Sequence, residues 1–283
     1  MTRDTRTNHR SIAKGKAGNL PFQVAAVSWV DLLGYGAMIA EAGFNPIDPR
    51  AKEAITRLRT FHRIVAEHSG RYYRTLVLND GAVAYRDLSL RSSGVTHDFL
   101  ARSFTLFEAI QASEQRNGWP GARMVLATGF RAKGSRRAID HASGQLNSIL
   151  ARLAAGEIAT EQAVREAASI ERYFDVLPHL QANFAFTKAY IADSGGSRAG
   201  LGGARFFVDN AIFDGAIPAW VSAGNAITFN DTRLAITATF VPVARLAPPG
   251  NTGVAIPGVR DALQIAEAIA PSVSIRDAIR AAQ

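Results

Sequence analysis

The sequence predicts an α/β (α+β) domain with a single mixed, largely antiparallel sheet and flanking helices. Three observations support this prediction. The stretch 22–30 is continuously apolar or small, as in a strand covered on both faces. Two amphipathic helical stretches follow it, and short β-like runs are joined by hairpin turns. The order strand, helix, strand, strand, helix, strand, helices, strand and hairpin indicates one sheet rather than tandem domains.

The first strand candidate ends at Asp31, and a glycine-containing turn follows it at once. That turn reads Leu32-Leu33-Gly34-Tyr35-Gly36. Two glycines so close together permit a sharp bend whose backbone N–H groups can point at an anion.

Two helices are predicted at 51–68 and 99–115. In the first, apolar residues recur at spacings of mainly three and four, and charged residues, Arg57 among them, stand between them. The apolar stripe consists of Ile55, Leu58, Phe61, Ile64 and Val65. The second helix carries Leu100, Phe104, Phe107 and Ile110 on one stripe. Both patterns predict amphipathic helices, and we expect the first to pack on the sheet.

Turn signals place the remaining strands. The β-like runs 72–78 and 82–88 flank Asn79-Asp80-Gly81, and the runs 226–229 and 234–243 flank Asn230-Asp231. Further strands are predicted at 122–130 and 205–209. A mostly helical region covers 146–153 and 161 to about 192, broken near Gly156 and bent near Pro178. The glycine-dense stretch 194–203 predicts a flexible loop, and helices are expected at 261–269 and 275–282.

These patterns divide the chain into three parts. Residues 1–20 are expected to be a disordered basic tail, 21–246 a single domain with a helical insertion at about 140–190, and 247–283 a C-terminal helical extension.

Composition narrows the classes of function. The chain has no cysteine, which excludes thiolate zinc sites, disulfides and cysteine nucleophiles. Its formal charge is +8, but the tail holds five Lys/Arg against one Asp and supplies +4 of it. No apolar run approaches the roughly 18 residues of a membrane span, and the N-terminus lacks the apolar block of a secretory signal. We expect a soluble, cytoplasmic protein whose mildly basic body suits an anionic small molecule.

Asp31 and Asp80 form the most informative pair. If the first strand pairs with the hairpin, both carboxylates reach one edge of the sheet. Together with a backbone carbonyl such as that of Leu32, they would supply the hard oxygen ligands that Mg²⁺ or Mn²⁺ requires and leave positions open for phosphate oxygens. Taken singly, each aspartate is better explained by ordinary turn chemistry, and only the pair favours a metal site.

The chain resembles the class III nucleotide cyclases at several motifs. Their first strand ends in an Asp-Ile-x-Gly-Phe type segment, similar to 31–35 here, and their second metal aspartate lies in the following hairpin, similar to 78–82. More loosely, 123–129 and 202–208 are similar to two later strands of the family. The resemblance extends over about residues 22–243.

Two departures from the family pattern concern the active site. The family's catalytic helix carries Asn-x-Ala-x-Arg, and the nearest match begins at Asn183 and has Thr187 in place of the arginine, followed by Lys188. The resemblance then implies that Asn183, Lys188 or an arginine such as Arg131 or Arg198 stabilises the transition state. Asn183 is equally consistent with a surface amide.

The second departure concerns the base. The position four residues before the second metal aspartate often reads the purine in this family, and here it is Leu76. Arg74 lies on the same strand face; it is either an ordinary solvent-facing strand arginine, the more common case, or a contact to a base carbonyl or a phosphate. This combination looks most like the bacterial pyrimidine cyclases of the antiphage Pycsar system, which make cyclic UMP or cyclic CMP to activate a separate effector, and we favour UTP.

The resemblance implies a metal-dependent, pyrophosphate-releasing lyase. Two Mg²⁺ or Mn²⁺ ions would be held by Asp31, Leu32 and Asp80, and the triphosphate by amides of Leu33 to Ala37, which include Gly34, Tyr35 and Gly36. It further implies a homodimer with shared active sites. Two alternatives remain: a non-catalytic cyclase-like module that binds a nucleotide or a partner, and a nucleic-acid-binding protein that uses the basic tail.

Overall fold

The computed structural model describes residues 20, 22–133, 141–170, 177–247 and 255–270, together with positions 272, 273, 275, 277 and 278. The predicted basic tail, except for its last residue, lies outside the described residues. So does part of the predicted C-terminal extension, including most of the helix expected at 275–282. Within the described ranges, no helix is both long and apolar enough to cross a membrane.

Strands and helices alternate along the described chain much as the sequence predicts. In chain order they are β1 (Phe22–Leu32), α1 (Tyr35–Glu41), α2 (Pro49–His68), β2 (Arg74–Leu78), β3 (Gly81–Asp87), α3 (Ser93–Arg116), β4 (Ala122–Ala132), α4 (His141–Ala154), α5 (Thr160–Ala168), α6 (Phe184–Gly195), β5 (Phe206–Asp209), β6 (Val221–Ala223), β7 (Ile227–Asp231), β8 (Ile236–Leu246) and α7 (Ala262–Ile269). The short strand β6 was not predicted, because three residues carry too little periodicity to be recognised.

The described strands form one sheet of eight in the order β2-β3-β1-β4-β5-β8-β6, with β7 also paired to β8. β3 pairs antiparallel with β1 and β2, and β8 pairs antiparallel with β5, β6 and β7, whereas β4 and β5 run parallel. The predicted fold class, a mixed and largely antiparallel sheet with flanking helices, is therefore confirmed. In this order β1 lies between the β2–β3 hairpin and β4, at the centre of the fold's apolar core.

The buried face of α2 differs from the predicted stripe. Phe61, Ile64 and Val65 are buried as expected, but Ile55 is 40% exposed and the side chain of Arg57 is wholly buried. The expectation that Arg57 belongs to the polar face is wrong. A buried carboxylate on α3 pairs with its guanidinium, and the sequence pattern of one helix does not reveal such a partner.

In the described part of the region predicted as helical over 161–192, α5 ends at Ala168 and α6 begins at Phe184. The Asn183 side chain caps α6 by accepting a hydrogen bond from the Phe186 N–H at 3.1 Å. The predicted loop at 194–203 begins inside α6 and continues as a 3-10 helix, Gly196–Ala199. Gly196 has φ 49° and packs closely against the Arg123 guanidinium, so this glycine meets a conformational and a packing demand.

Two compact units are distinguishable. One contains the residues up to Arg131 and those from Asn183 onward, and the other is Ala132–Ala182. The smaller unit holds α4 and α5 around a cluster of Ile149, Ile158 and Ala163. Within it, Arg152 pairs with Glu166 at 2.7 Å. The larger unit holds the sheet and all the residues discussed below.

Candidate active site

Asp31 and Asp80 lie at the same end of the sheet. Asp31 is opposite Gly81 in the β1–β3 ladder, and the N–H of Leu32 donates to the carbonyl of Asp80 at 3.1 Å. Pairing of β1 with the β2–β3 hairpin therefore brings the end of one strand beside the tip of the other. Both side chains are partly exposed, so solutes can reach them.

The hairpin turn that carries Asp80 consists of two residues. Leu78 pairs with Gly81, so Asn79 and Asp80 form the turn, and Asn79 takes the left-handed φ of 56°. The Asn79 amide donates to Asp80 Oδ1 at 3.1 Å. Gly81 belongs to β3, and a Cβ there would lie 2.6 Å from the Trp29 ring. A glycine is thus required at position 81 by packing against Trp29 rather than by turn geometry.

Burial and two neighbouring acids make Asp31 hard to ionise. Burial, followed by the charges of Asp193 and Asp80, raises the pKa of Asp31 to about 7, against the opposing charges of Arg123 and Arg57. A cation bound beside Asp31 would stabilise its ionised form, which is otherwise disfavoured. The side-chain pKa therefore points to a site that favours positive charge.

Asp193 of α6 is the third acid of the site, and the sequence analysis missed it. Its carboxylate accepts hydrogen bonds from Trp29 Nε1 at 3.1 Å and from Arg123 Nε at 2.5 Å. Arg123 Nη2 also donates to the Asp193 carbonyl at 2.8 Å. Burial still raises the pKa of Asp193 in spite of Arg123. Asp193 stands seven residues after Phe186 and three after Tyr190, and this helical spacing was the available signal.

The turn after β1 is fixed from behind by a buried ion pair. Arg57 Nη2 donates to the carbonyls of Leu33 and Gly121 at 2.9 and 3.2 Å, and it contacts Glu114 Oε2 at 2.5 Å. Glu114 Oε2 in turn accepts from the Gly121 N–H at 3.1 Å. The Trp119 ring lies 5.8 Å from the Arg57 guanidinium carbon. The Arg57–Glu114 pair therefore joins helices α2 and α3 to the backbone at Leu33 and Gly121, next to the turn that follows Asp31.

The glycine turn has the bend that the sequence predicted. Gly34 has φ 74° and immediately precedes α1, while Tyr35 is buried and Gly36 is exposed. The Leu33 N–H donates to the Gly121 carbonyl at 2.9 Å. That amide is committed within the fold, so of the five amides proposed for a triphosphate, Leu33 must be left out.

The residues at the aspartate pair suit a hard divalent cation. Asp31, Asp80 and the Leu32 carbonyl offer oxygen atoms, which is the donor set of Mg²⁺ and Mn²⁺. Among the described residues, no group of three or more His, Asp or Glu side chains forms a ready metal cage. A cation here would therefore depend on oxygens from a bound ligand or from water to complete its shell.

Asn183 and Lys188 occupy a different region of α6 from Asp193. Asn183 is buried as the helix cap, which makes the surface-amide alternative wrong. Lys188 Nζ lies 2.6 Å from Asp209 Oδ2, and this oxygen also accepts from the Thr128 N–H and hydroxyl at 3.0 and 2.9 Å. Lys188 lines a cavity of about 750 Å³ whose walls include Thr128, Phe184, Asp209 and Leu234 but neither Asp31 nor Asp80.

Arg131 lies far from the aspartate pair within one chain. It forms a bidentate ion pair with Asp87, with Oδ1 and Oδ2 at 2.9 and 2.5 Å. Asp87 pairs with Ala25, six residues before Asp31 on β1, which is about 20 Å of strand. Because Arg131 is bound to Asp87, it lies near the opposite end of β1 from Asp31.

The two β2 residues predicted to bind substrate, Arg74 and Leu76, lie on the edge strand of the hairpin. Arg74 is exposed and opposite Tyr85, and its side chain hydrogen-bonds the Tyr85 hydroxyl, whose pKa is raised overall by burial. Leu76 is half-buried opposite Val83. Arg198 is exposed in the 3-10 helix after α6.

The fold of the chain is similar to that of solved structures, although its sequence has no match among family models or curated proteins. No protein-family model matches the chain, and no curated protein matches it. Among solved structures it is similar to the guanylyl cyclase Cya2, with a TM-score of 0.51 and 13% identity over 82% of this chain and 98% of that chain. The guanylate cyclase domain of RhGC from Catenaria anguillulae, in complex with GTP, matches with a TM-score of 0.41 and 7% identity, over 79% of this chain and 97% of that chain. The first likeness shows that the chain has a class III nucleotide-cyclase-like fold.

Proposed function

We propose that this protein is a nucleotidyl cyclase that converts a nucleoside triphosphate to its 3′,5′-cyclic monophosphate and pyrophosphate. The observation that carries the proposal is the pairing of Asp31 with the Asp80 turn at one end of a cyclase-like sheet. In the reaction, the ribose 3′-oxygen forms a bond to the α-phosphorus as its proton leaves. The bond from that phosphorus to the pyrophosphate oxygen breaks.

Asp31, Asp80 and the Leu32 carbonyl would hold two divalent ions, Mg²⁺ or Mn²⁺. When bound, these ions would supply Lewis-acid activation of the hydroxyl and charge neutralisation of the departing pyrophosphate. The contribution of the chain is to hold both carboxylates at one strand end. The Arg57–Glu114 pair fixes the turn that follows Asp31.

The amides of the glycine turn would orient the triphosphate. Gly34 immediately precedes α1, and Tyr35, Gly36 and Ala37 are its first residues, where backbone N–H groups have no helical acceptor. For the transition state the resemblance offers Asn183, Lys188 or an arginine such as Arg131 or Arg198. Within one chain Arg131 is paired with Asp87, at the other end of β1 from Asp31, and Lys188 is paired with Asp209. A homodimer in which each site is shared between protomers would allow such residues to serve a partner's aspartates.

Within this class we propose a pyrimidine substrate, with UTP favoured over CTP. Leu76 provides no hydrogen bond for a purine edge, and Arg74 beside it would contact a base carbonyl or a phosphate. The product would be an antiphage second messenger, formed in the cytoplasm and read by a separate cyclic-nucleotide-activated effector protein. These finer assignments rest on the resemblance described for the sequence.

Product analysis tests the proposal directly. Purified protein would be incubated with each of the four nucleoside triphosphates and Mg²⁺ or Mn²⁺, and the products resolved by mass spectrometry. We expect cyclic UMP to predominate. A purine cyclic nucleotide as the main product would overturn the pyrimidine assignment alone, whereas no cyclic nucleotide from any of the four would overturn the cyclase.

A matched pair of variants tests the aspartate assignment. Asp31→Asn should abolish product, because a neutral amide lacks the negative charge with which the carboxylate would hold a divalent cation. Asp214→Asn, which changes an acid with a 61% exposed side chain elsewhere, should retain wild-type turnover. Turnover by Asp31→Asn at the wild-type rate would contradict the metal assignment.

The second candidate is a cyclase-like module that binds a nucleotide without converting it. The observation that favours it is Thr187, which stands where the family has arginine. Nucleotide binding by calorimetry, with no product after prolonged incubation, would support this candidate over the cyclase.

A further inference from the structure

Three aromatic rings form a cluster on the sheet face that α6 covers. The Trp29 ring meets the Tyr190 ring edge-on at a centroid distance of 5.3 Å and the Phe186 ring at 6.1 Å. Phe186 and Tyr190 lie 6.2 Å apart. Trp29 is almost fully buried, whereas Tyr190 is 45% exposed. The cluster thus has a rigid floor and one ring that reaches solvent.

This aromatic cluster lies beside the aspartate pair. Trp29 and Asp31 are two residues apart on β1, so their side chains share one face of the sheet and lie about 6.6 Å apart along it. On the other side, the Trp29 ring lies where a Cβ of Gly81 would point, next to Asp80. The Trp29 ring therefore contacts Tyr190 and also packs against Gly81 of the hairpin that carries Asp80.

The Tyr190 ring is held in place by its helix. Phe186, Tyr190 and Asp193 fall on one stripe of α6, at spacings of four and three. The Asp193 carboxylate holds this face of α6 against the sheet by accepting hydrogen bonds from Trp29 on β1 and Arg123 on β4. A ring fixed in this way loses little further freedom when a flat ligand stacks on it.

We propose that Tyr190, supported by Trp29, is the stacking surface for the nucleobase of a triphosphate whose phosphates lie at Asp31 and Asp80. This inference rests on the proposed function and adds to it the way in which the base is held. Stacking on an aromatic ring accepts any base, because every base presents a π-face. It gives affinity for a base where Leu76 provides no hydrogen bond.

The test separates the base from the phosphates. Binding of 3′-deoxy-UTP, which lacks the attacking hydroxyl, and of inorganic tripolyphosphate, which lacks a base, would be measured by calorimetry with Mg²⁺. The proteins would be wild type, Tyr190→Leu, Tyr190→Phe and Phe184→Leu. Phe184 is the matched control, since it is a more exposed aromatic of the same helix and lines the separate cavity.

We expect Tyr190→Leu to weaken 3′-deoxy-UTP binding roughly tenfold, the lower part of the range for one stacked base. Tyr190→Phe and Phe184→Leu should stay within about twofold of wild type, because the first keeps the ring and the second lies elsewhere. Tripolyphosphate should bind all four proteins alike. Circular dichroism of Tyr190→Leu would verify that α6 is retained.

Two results would overturn the stacking role while leaving the proposed function intact. One is 3′-deoxy-UTP binding that Tyr190→Leu does not change. The other is an equal loss for 3′-deoxy-UTP and tripolyphosphate, which would show that Tyr190 merely supports the fold. If neither ligand binds wild-type protein, the proposed function fails and the stacking role fails with it.

Discussion

The guanidinium of Arg57 donates to the carbonyl of Leu33 at 2.9 Å, two residues beyond Asp31, from a wholly buried position. The same group is paired with the buried carboxylate of Glu114. A helix on one side of the sheet thereby fixes the turn on which the candidate site depends.

The Arg57–Glu114 pair predicts a specific pattern of stabilities. Arg57→Met should lower the free energy of unfolding by about 3–5 kcal/mol, because it leaves the Glu114 carboxylate buried without its partner. Arg57→Met combined with Glu114→Leu should recover much of that loss. Urea unfolding of the two single variants and the double variant measures this coupling, and purely additive losses would contradict a coupled pair.

Asp31 predicts a pH dependence of stability. Its pKa is about 7 in the folded protein and near 3.8 when unfolded, so between these values the folded state holds the proton more tightly. Stability should therefore fall as pH rises from about 4 to about 7, by on the order of 2 kcal/mol after solvent screening. Thermal unfolding in EDTA should show a flatter profile for Asp31→Asn than for wild type.

The same experiment with Mg²⁺ provides a control. A cation at Asp31 should raise the melting temperature at pH 8, where the uncomplexed carboxylate is ionised and costly, more than at pH 5. An equal rise at both values, or a pH profile that Asp31→Asn leaves unchanged, would be incompatible with the Asp31 assignment.

Gly81 predicts a packing defect. Gly81→Ala places a methyl group 2.6 Å from the Trp29 ring, so the ring or the hairpin must shift, at a cost of about 1–3 kcal/mol. Gly36→Ala is the matched control, because nothing lies within 4 Å of a Cβ there. Urea unfolding should separate the two variants, and equal stabilities would show that Trp29 yields without cost.

His97 predicts acid sensitivity. Burial lowers the pKa of His97, against the charge of Asp98, and neither ring nitrogen has a hydrogen-bond partner among the described residues. The unfolded chain therefore takes up a proton more readily, and stability should be lost as pH falls through about 6.5. His97→Phe should lessen the drop in melting temperature between pH 7.5 and 5.5. A drop as large as in wild type would assign the acid sensitivity to other groups.

The sequence by itself determined the described strands except β6, most of the described helices and the neighbourhood of Asp31 and Asp80. These features follow from local causes: an apolar run buried on both faces, helical spacing in α2 and α3, and turn residues at 79–81. Pairing of β1 with the hairpin then sufficed to bring the two aspartates to one strand end.

Only the tertiary structure decided which charged groups are buried together. Arg57 looks like a surface residue until Glu114 of another helix is placed against it, and the helical spacing of Asp193 from Tyr190 indicates a site residue only once α6 lies over Trp29. The structure also moved Asn183 into a helix cap and separated Arg131 from Asp31 by the length of a strand. Desolvation and ion pairing depend on distant segments meeting in space, and the spacing of residues along one segment does not encode that meeting.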